Sequence, residues 1–132
     1  MSRRVYLPTS SADLQTLLDG GALDVEGEAA YAVTDALRRA HPQAQDDEEL
    51  EFLAYAVAVG RAAAPKVVLA ADIDAVQPSG SGAEVRLGGS LTRSAVAALH
   101  VEHPVHSADG ELLWYDASEL GAVVALLASG RD

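Results

Sequence analysis

The amino-acid sequence predicts an α+β domain with a mixed, mostly antiparallel sheet and helices packed on one face of it. Two segments alternate between apolar and polar residues, as strands with one face in water do. Elsewhere, apolar residues recur at the spacing of a helix face. The 132 residues contain no internal repeat and no linker. We therefore expect a two-layer sandwich that forms one globular domain over residues 1–132.

The predicted elements of the first half are short apolar runs bounded by capping or turn residues. In chain order they are a strand over 4–7 that ends at Pro8, a helix capped by Ser10, a loop over 22–28, a strand over 29–33, a short helix capped by Thr34 and a long helix over 47–63. In the long helix, Leu50, Leu53 and Val57 fall on one side, and Phe52 and Tyr55 fill neighbouring positions. A helix that is apolar around so much of its circumference is expected to be largely buried.

The second half holds the strongest strand signal, over 66–71, which is apolar on both faces and therefore predicted to be central. A turn over 78–82 leads to the alternating segment 83–87, and we expect the two segments to form an antiparallel hairpin. The remaining predicted elements are a strand over 96–103, a short strand over 112–115 and a final helix that Asp116 and Glu119 open as a capping box.

Composition and charge exclude several classes of partner and chemistry. The chain has 20 acidic and 9 basic residues, a net charge of −11, and no basic stripe, so neither nucleic acid nor an anionic membrane is an expected partner. Without cysteine there is no disulfide, thiolate zinc site or cysteine nucleophile. No apolar run approaches the roughly 18 residues of a membrane span, and the N-terminus lacks the pattern of a signal peptide. We expect a cytoplasmic protein.

Two aspartates at the end of the central strand are candidate metal ligands. Asp72 and Asp74 share a face where the strand ends, and ligands in open sheets often bind at such ends. Paired carboxylates can hold magnesium against phosphates. Aspartates are also common turn residues, and no glycine-rich phosphate loop accompanies them, so the favoured interpretation is an ordinary turn.

Histidines gather at the end of the strand over 96–103. His100, His103 and His106 lie close in sequence to Glu102 and Asp109, and imidazoles and carboxylates bind zinc. In a strand, however, His100 and His103 point to opposite faces. The favoured interpretation is a strand end and its loop, with no bound metal and no cofactor.

Catalytic motifs are missing from the sequence. There is no G-x-S-x-G nucleophile motif. Ser107, His106 and Asp109 are nearly adjacent, and adjacent residues do not usually form a catalytic relay. We predict no catalytic residue, which favours a non-enzymatic function. The alternative is a small metal-dependent enzyme or ligand-binding protein, in which Asp72, Asp74 and His100 would converge on one face.

Surface features favour protein–protein contacts. Trp114 and Tyr115 form the one strong aromatic pair, suited either to a packed anchor or to an interface. The acidic run over 46–51 is explained first by its favourable position at a helix N-terminus. Docking of a basic partner is its second interpretation.

We predict a binding or regulatory domain that meets a protein partner or a second copy of itself, with a homodimer expected. A toxin or antitoxin partner is a further alternative that fits the size and acidity. The expected contact surface is the outer face of the sheet together with the aromatic pair. Its residues are Tyr6, Val68, Glu84, Arg86, Trp114 and Tyr115.

Several segments, in order along nearly the whole chain, carry a resemblance to a known family. They are RVYLPT at 4–9, AVT at 32–34, ALR at 36–38, EELEF at 48–52, VVLAAD at 67–72, AALHV at 97–101 and LWYD at 113–116. With these segments the chain resembles a family of small proteins of unassigned function from high-GC actinobacteria. The resemblance implies a bacterial cytoplasmic protein and brings no catalytic residue with it.

Overall fold

The computed structural model describes residues 2–44, 46–63, 65–80, 82–103 and 111–129. The strands in these residues are β1 (Arg3–Thr9), β2 (Leu23–Asp24), β3 (Ala29–Tyr31), β4 (Val67–Ile73), β5 (Val76–Pro78), β6 (Glu84–Leu87), β7 (Ser90–Leu91), β8 (Val96–Val101) and β9 (Leu113–Asp116). The α-helices are α1 (Ser11–Leu18), α2 (Asp35–Ala40), α3 (Asp47–Arg61) and α4 (Leu120–Ser129). The predicted α+β class is confirmed.

Seven of these strands form one sheet in the order β5-β6-β3-β1-β4-β8-β9, and each pair of neighbours is antiparallel. The strands β2 and β7 form a separate antiparallel pair, and β2 lies within the segment 22–28 that the sequence predicted as a loop. No helix of the described chain is both long enough and apolar enough to cross a bilayer.

Helices cover both faces of the large sheet, whereas the sequence predicted them on one. Alternate residues of β1 point to opposite sides: Val5 packs into a core with α1 and α4, and Tyr6 packs into a second core with α3. The reason lies in β4, where residues 67–71 are all buried. A strand that is apolar on both faces needs a covering layer on each, so the two predicted layers become three.

The predicted caps are present. The Ser10 and Thr34 side chains accept hydrogen bonds from the backbone N–H groups of Asp13 and Leu37, and these bonds start α1 and α2. Asp116 and Glu119 form the capping box, which opens a short 3-10 turn that runs into α4. Local hydrogen bonding alone determines these helix starts, which is why the sequence reveals them.

Two predictions about strand limits and pairing were wrong. Pro8 does not end β1, which continues to Thr9; Pro8 pairs only with β4, and a residue without an N–H is tolerated where one side of a strand is unpaired. The segment 83–87 does not pair with the central strand either. Its hairpin partner is the short edge strand β5, while β4 lies between β1 and β8.

The long helix α3 is less buried than its composition predicts. Its buried residues are Leu50, Ala54 and Ala58, so the small alanines face the sheet. Phe52 is 65% exposed and Val57 38% exposed. Because alanine has no bulk beyond Cβ, α3 can pack close to the sheet, and of its larger side chains Leu50 is buried while Phe52 and Val57 are exposed.

Candidate functional site

A shallow cleft, largely open to solvent, lies between one flank of α3 and the sheet, with a volume of about 400 Å³. Four helix residues line it at positions i, i+3, i+4 and i+7, the spacing that places side chains along one side of a helix. Two sheet residues, one from β1 and one from β8, form the opposite wall. We call this site the aromatic cleft, and its residues are Tyr6, Glu48, Glu51, Phe52, Tyr55 and His100.

The rings of the aromatic cleft are in mutual contact. Tyr55 is the centre of the group: its ring centroid lies 4.6 Å from that of His100, 5.9 Å from that of Tyr6 and 6.2 Å from that of Phe52. The Tyr6 and His100 centroids are 6.5 Å apart. These separations are in the range of stabilising aromatic pairs.

The sheet brings Tyr6 and His100 together across an intervening strand. Tyr6 pairs with Ala70 of β4, and His100 pairs with Val68 of the same strand. Two strands that are separated by a third lie about 9.5 Å apart, yet the two ring centroids are only 6.5 Å apart. The rings therefore lean toward each other over Val68 and Ala70, which form part of the sheet beneath them.

Burial shifts the pKa values of the histidine and tyrosines that line the cleft. Burial lowers the pKa of His100 below its ordinary value, so the imidazole is neutral at pH 7. Burial also raises the pKa of Tyr6, and the negative charge of Glu51 adds to this shift. The pKa of Tyr55 is raised by burial and by the charge of Glu111. At neutral pH the site thus combines uncharged rings with carboxylates.

An ion pair lies close to the Tyr6 side of the aromatic cleft. Arg4 Nε donates a hydrogen bond of 2.9 Å to Asp72 Oδ1, and Arg4 Nη2 donates one of 3.4 Å to Asp72 Oδ2. The hydrogen bond with Asp72 is the main cause of the raised pKa of Arg4. The Arg4 charge, which also interacts with Tyr6 and Glu51, is thus paired with Asp72.

One family model matches the chain, over residues 3–110, and its description is a family of unknown function (DUF6912). The chain belongs to this family. The match runs from β1 to beyond β8 and includes every residue of the aromatic cleft, while β9 and α4 lie outside it. No curated protein and no solved structure matches the chain. The predicted membership of a family without an assigned activity is thus confirmed, and the actinobacterial source stays a prediction.

The aspartates and the histidine of the metal-dependent alternative do not converge. Asp72 and His100 share a face of the sheet, but His100 pairs with Val68, four residues before Asp72 on β4. Four residues of strand span about 13 Å. Asp72 is bound by Arg4, and Asp74 lies in the following turn, where it lines a different cavity with Glu26, Arg86 and others.

Among the residues that the structure describes, no group of three His, Asp or Glu side chains is arranged to hold a metal ion. His103 lies just after β8, and the neighbouring Glu102 side chain accepts a hydrogen bond from the backbone N–H of Lys66 at 3.0 Å. The candidates His106, Ser107 and Asp109 lie outside the described residues.

The structure does not bring the residues of the predicted contact surface together on one face. Val68 is fully buried in the core beneath α3 and cannot meet a partner, which corrects its assignment to an outer face. Glu84 and Arg86 bind each other at 3.1 Å on β6. Trp114 and Tyr115 separate: Tyr115 packs against the core on the α1 and α4 side, while Trp114 is 61% exposed.

Trp114 adjoins the aromatic cleft. It pairs with His100 in the antiparallel register of β8 and β9, and directly opposed residues on two strands have neighbouring side chains. The sequence did not reveal the cleft because Phe52 and Tyr55 were interpreted as core. The available signal was the combination of these two residues with Glu48 and Glu51 at helical spacing, since a buried helix face does not carry two carboxylates.

Proposed function

We propose that the chain is a non-catalytic binding domain that acts through protein–protein contacts, and that the aromatic cleft is its contact surface. The main observation in support of this proposal is the exposed side chain of Phe52. This large apolar side chain is 65% exposed at the edge of a cleft that is itself aromatic. Exposed apolar patches with polar rims are typical of interaction sites, and aromatic side chains are enriched among the residues that dominate binding energy.

Charge complementarity favours a partner with a basic segment. Glu48 and Glu51 line the cleft, the first turn of α3 carries Asp47, Glu48 and Glu49, and the whole chain has a net charge of −11. The helix dipole accounts for acidic residues in the first turn. It does not account for Glu51, which lies beyond that turn and beside the rings.

A second copy of the chain is a poor occupant of this surface. A twofold interface places the same patch on both sides, so the carboxylates of two clefts would face each other. Like charges across an interface weaken association. We therefore propose a different, basic protein as the partner, in the cytoplasm, in place of the homodimer expected from the sequence. We therefore expect the protein to be monomeric in light-scattering measurements.

A displayed library of random 16-residue peptides, selected on the immobilised protein, tests the proposal. We expect enriched peptides that bind the wild type with micromolar Kd and bind Phe52→Ser at least tenfold more weakly. Val57→Ser is the matched control, because Val57 is also exposed but lies about 140° around the helix axis from Phe52. Peptides that bind Phe52→Ser as tightly as the wild type, or no enrichment at all, would overturn the proposal.

A further inference from the structure

We infer that the aromatic cleft holds a single cationic side chain of the partner, a guanidinium or an ammonium group, between its rings and its carboxylates. The inference rests on the proposed function and specifies the chemistry that the same site recognises. A cleft of about 400 Å³ is near the lower end of the range for ligand sites. That size suits one inserted side chain rather than a folded element.

The rings supply the first part of the recognition. The face of an aromatic ring attracts a cation within about 6 Å of its centroid, and several rings around one cation form an aromatic cage. In the cleft, Tyr55 lies 4.6 Å from His100, 5.9 Å from Tyr6 and 6.2 Å from Phe52, centroid to centroid. Because these rings pack against one another, a cation would lie over the open side of the group, where Tyr6, Phe52, Tyr55 and His100 all line the cleft.

The charges supply the second part. Glu48 and Glu51 line the cleft, so a cation is attracted and an anion is repelled. The nearby Arg4 also interacts with Glu51, but it is paired with Asp72 at 2.9 Å, so the carboxylates around the cleft outnumber this one positive charge. An arginine side chain can meet both requirements at once, because its planar guanidinium stacks on rings and binds carboxylates through two parallel hydrogen bonds.

The direct test titrates the ¹⁵N-labelled protein with Nα-acetyl-arginine N-methylamide and with its uncharged citrulline counterpart. We expect saturable shifts of the amide signals of Tyr6, Tyr55 and His100, with a millimolar Kd and citrulline at least tenfold weaker. The fluorescence of Trp114, the single tryptophan of the chain, gives a second readout beside His100. The lysine derivative and its Nε-acetylated form distinguish ammonium from guanidinium binding. Equal binding of arginine and citrulline would overturn the inference.

Two variants within the cleft and one control variant outside it distinguish a specific site from general attraction to an acidic protein. Tyr55→Leu is expected to weaken arginine binding about tenfold, and Glu48→Gln/Glu51→Gln by at least as much. Asp19→Asn/Glu28→Gln removes the same charge outside the cleft and is expected to bind as the wild type does. Equal weakening by the two double variants would show non-specific attraction and contradict the inference.

The outcomes also distinguish this inference from the proposed function. Library peptides that require Phe52 but contain no basic residue, together with no arginine binding, would refute the cation site and leave the binding domain standing. Arginine binding without any enriched peptide would support the cation site and refute the proposed protein-binding domain.

Discussion

The two faces of the large sheet differ in how completely they are covered. On the side of α1 and α4, the buried interior is aliphatic, mostly leucine, valine and alanine, and Val5, Leu69 and Leu99 have no exposed area. On the side of α3, the helix presents its alanines to the sheet and leaves an open cleft of rings and carboxylates along one flank. We therefore expect the first face to contribute most of the stability, and we propose the second as the binding surface.

The largest expected effect comes from the closed face. Leu69→Ala removes a fully buried side chain at the centre of the sheet. Such truncations typically lower the free energy of unfolding by about 2–5 kcal/mol. Phe52→Ala, on the open face, should change it by less than about 0.5 kcal/mol. Urea denaturation of both variants checks the comparison, and similar losses in the two would contradict it.

A smaller effect is expected at the start of α3. The Asp46 side chain accepts a hydrogen bond of 3.0 Å from the backbone N–H of Glu49 and so caps the helix that forms the wall of the cleft. Asp46→Ala should lower the free energy of unfolding by about 1 kcal/mol, whereas Asp46→Ser should largely preserve it. A loss of equal size in the serine variant would show that the capping bond is not the cause.

The pH dependence of stability gives a further difference between the faces. Because burial lowers the pKa of His100, the unfolded chain takes up a proton near the ordinary pKa of about 6.5 while the folded chain stays neutral. Stability should therefore fall as the pH decreases from about 6.5 through the lowered pKa of the folded state. His100→Phe removes this contribution. The same pH dependence of the free energy of unfolding in the variant and the wild type, between pH 7.5 and 5, would contradict it.

The same protonation should weaken binding at the cleft. A charged His100 beside Tyr6 and Tyr55 repels an incoming cation. Arginine affinity measured between pH 7.5 and 5 is expected to decrease with falling pH in the wild type and to decrease less in His100→Phe. An affinity that rises on acidification would be inconsistent with a cation site.

The smallest expected effect is at the ion pair between Arg4 and Asp72. Both side chains are about 40% exposed, at 39% and 43%, and exposed pairs contribute roughly 0–1 kcal/mol. Asp72→Asn should therefore change the free energy of unfolding little. It leaves Arg4 uncompensated near Tyr6, so arginine binding should become weaker; unchanged binding would show that Arg4 lies too far from the bound cation to matter.

The sequence predicts most of what depends on local hydrogen bonding and on the alternation of apolar residues. The caps at Ser10, Thr34 and Asp116 are examples, as is the central position of β4. The pairing partners of the strands were harder to predict from the sequence, because β5 is an edge strand of three residues, two of them exposed, and is too short to show an alternating pattern. Its absence from the prediction led to the wrong partner for the segment 83–87.

The aromatic cleft could not be predicted because its composition resembles that of a core. Tyr6 and His100 come from strands that are separated by β4 and lie 94 positions apart in the sequence. Only the strand order brings their rings together. The position of α3 also depends on which of its apolar residues face the sheet, and the alanines took that place instead of Leu53 and Val57.

We propose that Phe52, on the flank of α3, contributes to partner binding and does not contribute to the stability of the fold. The most direct measurement is calorimetric titration of a library-selected peptide into the wild type and Phe52→Ser, with the free energy of unfolding of both determined in the same buffer. The account predicts at least a tenfold loss of affinity with the unfolding free energy unchanged within about 0.5 kcal/mol. Equal affinity for the two proteins, or a loss of affinity that accompanies unfolding, would contradict it.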